Sequence, residues 1–498
     1  MPSESNSRIG IVGRISFIAM IWMIATALLI PPTAWSQGAH PGPQFAYVAG
    51  NDFVSGYVID NTTGALTEIA GSPFPTGVWA RGVAADPQGR FLYIPNWNSA
   101  NVSAYVIDRD TGALSAVPGS PFAAGDHPAA VAVDPRGRFV YIANQYSNSI
   151  SVYSIDPITG ALTAVTGSPF GTYTGPVGLA AGPSGEFLYV ANFGGEVSVY
   201  AIASAGSLTE IPGSPFYAGS GTFQVAITPS GKFAYAAAQY SDGVFAYSIE
   251  SSTGALTEIS GSPFPAGSDP YFIATDPSGR FVYTANFYFA LKSGNVSGYR
   301  IDAKTGALSE IFGSPFPAGN NPGGIATDLS GRFVYTTNDG SSTSSGYVID
   351  QSTGALTPIP GSPFPTAINP ISVTTVGNPE RCTTPPVVKV FNSPTFLWPP
   401  NGRLARVAVF GTITDPDAAC RITTAAYSVK DEYGKVQPTG PVVLNSGGAY
   451  RFTIGLQASR SGTDSNGRLY TITVTAMNNA GKKGRQAGKV IVPHDKRH

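Results

Sequence analysis

Cysteine is almost missing from this chain of 498 residues, with only Cys382 and Cys420 present. A disulfide-dense scaffold and a cysteine-clustered zinc domain are both excluded. Histidine is as scarce: the four copies are His40, His127, His494 and His498. They cannot form a His-Glu-x-x-His site, so no metal is expected. Charged residues reach only 12%, and 29 basic side chains face 30 acidic ones with no long block of either sign. Such a chain has no field to gather nucleic acid or anionic lipid, and neither is expected as a partner. Neither a Gly-x-Ser-x-Gly elbow nor a Gly-x-x-x-x-Gly-Lys-Ser/Thr loop occurs, which removes two routes to nucleophilic or nucleotide chemistry. No cofactor is expected.

What the chain has in plenty is glycine (59) and proline (42), beside 42% hydrophobic residues. That mixture suits many short strands joined by tight turns, and the length implies at least two folding units. Residues 1–36 carry Arg8 and Arg14, an apolar run over 15–30, Pro31-Pro32 and the small-residue site Ala34-Trp35-Ser36. This is the order of a secretory signal peptide, and the run is shorter than the ~20 residues that span a bilayer. The mature chain is therefore expected to be secreted, periplasmic or on a bacterial cell surface, as a monomer with no membrane span after signal cleavage. In an exported chain, the one cysteine pair predicts a Cys382–Cys420 disulfide.

A repeat decides the fold class. Gly-Ser-Pro-Phe begins at Gly71, Gly119, Gly167, Gly213, Gly261, Gly313 and Gly361. Seven copies about 48 residues apart imply seven equivalent units. In one unit, strands are predicted over 129–133, 139–143, 150–155 and 161–165. Asp134-Pro135-Arg136-Gly137 forms the first hairpin, and the last strand leads to the Gly-Ser-Pro-Phe crossing into the next unit. The first strands carry a bulky aliphatic row (Val83, Val131, Leu179, Val225, Ile273, Ile325, Val373) beside a small row (Ala84, Ala132, Ala180, Ala226, Ala274, Ala326, Thr374). Sheets with one bulky and one small face nest around an axis. The chain enters on a second-strand motif, Phe45-Ala-Tyr-Val-Ala49, and leaves after a lone first-strand motif, Ile371-Ser-Val-Thr-Thr375. The last strand can complete the first blade and remove both open edges. The expected fold is all-β: a seven-bladed β-propeller over 45–377, behind a linker over 37–44. A second linker, 378–386, leads to an immunoglobulin-like β-sandwich over 387–498, with strands expected over 387–391, 405–414, 423–429, 450–456, 469–476 and 489–492.

Arg138-Phe-Val-Tyr-Ile-Ala-Asn144, Glu186-Phe-Leu-Tyr-Val-Ala-Asn192 and Thr253-Gly-Ala-Leu-Thr-Glu-Ile259 resemble the YVTN-type repeats of the propeller lactonase family. That family includes 6-phosphogluconolactonase-like and muconate-cyclising enzymes, and the resemblance spans 45–377. Leu397-Trp-Pro-Pro-Asn401 and Val492-Pro-His-Asp495 resemble sandwich modules appended to bacterial surface proteins. The family resemblance implies a His-Pro-His element, of which His127-Pro128 matches the first part and Ala129 replaces the second histidine. The glutamate that the family carries at one strand end has no counterpart in Tyr-Thr-Ala-Asn286 or Tyr-Thr-Thr-Asn338.

In a propeller the ligand meets the channel mouth, built by loops entering the first strand and loops joining the second and third. Those positions vary from blade to blade, as functional loops do. His127 and Arg81 are the candidate catalytic pair, a base for water and a cation for the oxyanion of lactone hydrolysis. Trp79, Trp97, Tyr146, Phe193, Phe223, Tyr240, Asp269, Tyr271, Phe287 and Tyr288 are the candidate ligand-binding residues. The strand-end asparagines and the Asp-x-x-x-Gly turns read as structural, because one carboxylate per turn is far from a calcium shell. The missing histidine and glutamate counterparts favour a binding or surface-interaction module for carbohydrate, peptide or protein. The alternative is a metal-independent lactonase, a carboxylic ester hydrolase acting on a small sugar lactone.

Overall fold

The computed structural model describes residues 43–287, 294–377, 385–415, 422–435, 437–445, 448–459, 467–478 and 482–493. The signal peptide, most of both linkers, Tyr288, and Cys382 with Cys420 lie outside them. No helix among the described residues is long and apolar enough to cross a membrane.

Seven antiparallel sheets repeat along the chain. One blade runs Pro128–Val133, Phe139–Asn144, Ser149–Ile155 and Leu162–Ala164, from the channel outward. Its second strand alternates side chains between two covered faces. Phe139 and Tyr141 enter the apolar cluster shared with the next blade, and Val140 and Ile142 enter the one shared with the previous blade. Seven such inter-blade clusters close the ring. Pro370–Gly377 pairs antiparallel with Gln44–Gly50, so the end of the propeller sequence completes the blade in which it began, and no sheet edge faces the gap.

The repeated tetrapeptide departs from its expected role as a crossing between units. After Leu162–Ala164, the residues Phe170–Gly171 pair again with the same third strand, so Gly-Ser-Pro-Phe interrupts a blade's outer strand. Its glycine has φ between 87° and 91° in all seven copies, a left-handed angle that glycine adopts without steric cost. Its serine restores the hydrogen bond lost at the interruption. The third-strand N–H of Gly56, Ala104, Val152, Val199, Ala246, Gly298 or Gly346 donates to the seryl Oγ of its own blade at 2.8–3.1 Å. A composition-driven reading sees only turn residues here, because the continuation of pairing beyond the proline is a long-range fact.

A second device locks six of the seven blades to the next; the buried Tyr141 hydroxyl has no hydrogen-bond partner in the protein. Tyr47 Oη donates to the carbonyl of Gly112 at 2.6 Å, and the pattern continues through Tyr93–Gly160, Tyr189–Gly254, Tyr235–Gly306 and Tyr283–Gly354. It ends at Tyr335–Gly64, which joins the last blade to the first. The acceptor glycine closes an Asp-x-x-x-Gly turn, or Glu-x-x-x-Gly at Gly254. A Cβ on Gly160 would fall 2.4 Å from the Phe91 ring of the preceding blade, and φ there is +77°. The aspartate of such a turn is occupied internally: Asp156 accepts the N–H of Ile158 and Thr159 and the Thr159 hydroxyl.

The tail forms two sheets around one apolar cluster. Val387–Ser393, Leu404–Thr414 and Ala449–Gln457 make the first; Thr439–Pro441, Ile422–Asp431, Arg468–Asn478 and Lys483–Val492 make the second. The last strand is longer than the 489–492 expected, and the short Thr439–Pro441 strand gave no sequence signal. Arg468 is fully buried and its Nε donates to Asp431 at 2.9 Å. A buried charge needs such a partner.

Candidate functional site at the channel mouth

Each first strand opens on the same backbone irregularity. Pro128 pairs with Asn144 but Ala130 pairs with Ala143, leaving residue 129 as a β-bulge. Equivalent register shifts occur before Gly178, Gln224, Phe272, Ile325 and Ser372. A bulge re-aims a side chain. Val177, Phe223 and Tyr271 occupy this position, and with Ala129, Trp97, Phe193 and Phe272 they form one apolar cluster at the mouth. The residue two places earlier is left-handed in the six later blades and in Trp79 alike. Trp79 (φ 61°), His127 (52°), Asp269 (54°), Asn321 (52°) and Asn369 (54°) share it with Gly175 and Gly221. Asparagine and aspartate tolerate that region, whereas tryptophan is rarely found there. Its occurrence in a binding loop is the kind of strain that clusters at functional sites.

Arg81 crosses the mouth. Its guanidinium lies 5.3 Å from the Trp97 ring centre and 5.9 Å from that of Phe223, and Nη2 donates to the Tyr271 hydroxyl at 3.4 Å. Tyr271 in turn stacks on Phe223 at 3.6 Å and lies 5.0 Å from Phe287. Burial raises the Tyr271 phenol pKa, and Arg81 works against that rise. Beneath lies a channel cavity of about 100 Å³, lined in part by Arg81, Gln224, Ile325 and Ser372. It is smaller than the usual ~300–1,000 Å³ of a ligand pocket.

Around Trp97 the second cluster assembles. Trp79 meets it edge-on at 5.2 Å, His127 at 4.1 Å and Tyr146 at 5.5 Å, while His127 and Tyr146 are 4.1 Å apart. Trp97 Nε1 donates to Gln145 Oε1 at 3.1 Å. His127 Nδ1 lies 2.7 Å from Asp126 Oδ1. An ionised carboxylate can only accept, so Nδ1 is the donor in this contact. The third cluster holds Phe193, 5.6 Å from Tyr240 and 6.4 Å from Phe223. Asp269 stands on the same rim, its N–H bonded to Asp242 Oδ1.

The described candidates thus converge on one mouth, with Arg81 and His127 both against the Trp97 indole. Three residues escaped the sequence reading. Asp126 adjoins His127 and was passed over because loop carboxylates are common. Gln145 and Asp339 follow the strand-end asparagines Asn144 and Asn338, where nothing in the repeat sets them apart from other polar loop residues. Burial raises the pKa of the Asp339 carboxyl, a signal that needs coordinates. The strand-end asparagines themselves are buried and structural: Asn144 Nδ2 donates to Ser149 and Ser151 at 3.1 and 2.9 Å. No group of three metal-ligating side chains occurs among the described residues. A larger concavity of about 260 Å³ lies on the tail, lined by Phe396, Trp398 and Leu404 among others, with Arg403 its one ionisable group. Acid–base chemistry needs more than that, so the mouth is the candidate site.

A closed seven-bladed propeller with a polar and aromatic mouth defines the class, and comparison with known proteins gives the family. Residues 40–223 and 194–320 match the family described as lactonase, 7-bladed beta-propeller. Together they cover more than half of the chain, which belongs to that family. Among solved structures, a candidate 6-phosphogluconolactonase from Bacteroides uniformis is 20% identical, with a TM-score of 0.59 over 67% of this chain and 100% of that one. A candidate 6-phosphogluconolactonase from Bacteroides fragilis gives 20%, 0.58, 67% and 98%. The periplasmic gluconolactonase of Pseudomonas aeruginosa gives 19%, 0.56, 67% and 99%. At these identities the likeness is one of fold. A search of the curated proteins finds no match.

Proposed function

We propose that the chain is an exported lactone hydrolase, a metal-independent carboxylic ester hydrolase working at the propeller mouth. One observation carries this reading: His127, its Nδ1 held by Asp126 at 2.7 Å, stands against the same indole as Arg81, the cation that crosses the mouth. In the proposed reaction His127 Nε2 takes a proton from water, whose oxygen attacks the lactone carbonyl. The Arg81 guanidinium stabilises the resulting oxyanion. On collapse the ring C–O bond breaks, and His127 returns the proton to the departing alkoxide, giving a hydroxy acid. Asp126 replaces the family's missing second histidine as a source of acid–base control. The solved neighbour named as a periplasmic gluconolactonase and the apolar run 15–30 support export.

A binding module is the second reading, favoured by the 60% exposure of the Asp126 side chain, since a solvated carboxylate holds an imidazole less firmly than a buried one. For the tail we propose an immunoglobulin-like sandwich serving as spacer or adhesive unit; its three-on-four strand arrangement supports this. A panel of sugar and aliphatic lactones, assayed against the purified mature chain with His127→Ala and Arg81→Ala, tests the hydrolase. Turnover that falls about 10²-fold or more in both variants is expected. No turnover on any lactone would leave only the binding module.

A further inference from the structure

Among its described residues the mouth is poor in cations and rich in acceptors. Arg81 is the only arginine or lysine among the described mouth residues, and its guanidinium already serves two ring faces and the Tyr271 hydroxyl. The other described basic residues of the propeller belong to turns and strand ends at the opposite face, as Arg90, Arg138, Arg280 and Arg332 do beside the first-strand hairpins. Carboxylates stand on the mouth rim instead. Asp52 accepts the Trp79 N–H, Asp242 the Asp269 N–H, Asp126 holds His127, and the Asp339 N–H bonds the carbonyl of Asn321.

Beside Asp339, the buried Oδ1 of Asn321 accepts no hydrogen bond from the protein. A buried acceptor without a donor is costly, and Asn96, Asn192 and Asn286 carry the same orphan Oδ1 inside the blades. Exposed aromatic side chains among the described mouth residues include Trp79, Tyr146 and Tyr240, at 41%, 57% and 62%. Their open faces suit the C–H face of a sugar ring. A phosphoryl group has the opposite needs: it is held by several converging donors or cations, and a rim of carboxylates repels it.

We propose that the mouth selects a neutral, hydroxyl-rich ring, an unphosphorylated sugar lactone, and rejects the same ring carrying a 6-phosphate. This substrate class rests on the proposed site at the mouth but not on its hydrolytic step. Stacking on the exposed aromatics and donation of ligand hydroxyls to the rim carboxylates supply the affinity. The Arg81 N–H groups not used by Tyr271 meet the single carbonyl oxygen.

Calorimetric binding of gluconolactam, which cannot hydrolyse, against gluconolactam 6-phosphate tests the proposal on the full mature chain. The neutral ring should bind at least about tenfold tighter, a difference expected of one misplaced dianion among carboxylates. Asp242→Asn combined with Asp339→Asn should narrow that gap about threefold or more, mainly by improving the phosphorylated ligand. Equal or tighter binding of the phosphate, or no binding of either, overturns the proposal. Hydrolysis of glucono-1,5-lactone is measured separately. Retained preference without turnover would defeat only the hydrolase, and turnover with a preference for the phosphate would defeat only this selectivity.

Discussion

Trp79 illustrates how the mouth is built at the scale of single residues. Two equivalent positions, Gly175 and Gly221, hold glycine at the same left-handed angle, so Trp79→Gly should fold as well as the parent while losing an exposed aromatic face. Thermal unfolding unchanged within a few degrees, with weaker ligand binding, is the expected pair of results. Asp126→Asn removes the carboxylate that fixes the His127 tautomer. It should lower kcat about tenfold or more with KM little changed, read from lactone kinetics. Asp339 adds a pH effect. Burial raises its folded-state pKa, so the folded chain holds the proton to higher pH than the unfolded chain. Stability therefore falls as pH rises above the ordinary carboxylate value near ~3.9. Asp339→Asn should remove that fall and raise the unfolding midpoint at neutral pH more than in mild acid.

At the scale of strands and turns, the repeats carry their own internal controls. Tyr335 donates to Gly64 and seals the ring, whereas the buried Tyr141 hydroxyl has no hydrogen-bond partner in the protein. Tyr335→Phe should cost about 1 kcal/mol in urea unfolding, and Tyr141→Phe about nothing or a slight gain. Equal effects would show that the two hydroxyls do not differ as described. Ser168→Ala strands the Val152 N–H and should also cost about 1 kcal/mol. The strands themselves were legible because each second strand, such as Phe139–Asn144, alternates large apolar residues on both faces. The outer strand was not, since its pairing resumes only beyond Gly-Ser-Pro-Phe. Nor were the bulges. Residue 129 and its equivalents look like ordinary first-strand positions until pairing with the second strand slips by one.

At the scale of the whole molecule, closure makes both fold and site. The match of Phe45-Ala-Tyr-Val-Ala49 with Ile371-Ser-Val-Thr-Thr375 made the closing strand readable from sequence, because both halves repeat motifs seen in the other blades. The site was only partly readable. Arg81 and Tyr271 are 190 positions apart and meet across the channel only when the ring is shut. Repeat alignment could place each of them at the mouth but not bring them into contact. Carboxylates such as Asp339 drew no notice because nothing in the repeat marks them. Removing 370–377 should therefore abolish cooperative unfolding and ligand binding together, since the blade that starts at Gln44 would lose its innermost strand.

A crystal structure of the mature chain with gluconolactam tests the central claim most directly. The ring is predicted over Arg81 between Trp79 and Tyr146, its carbonyl oxygen within hydrogen-bond reach of the guanidinium and its carbonyl carbon on the His127 side of Trp97. Gluconolactam bound elsewhere, or at the mouth with its carbonyl turned away from both Arg81 and His127, would contradict the account.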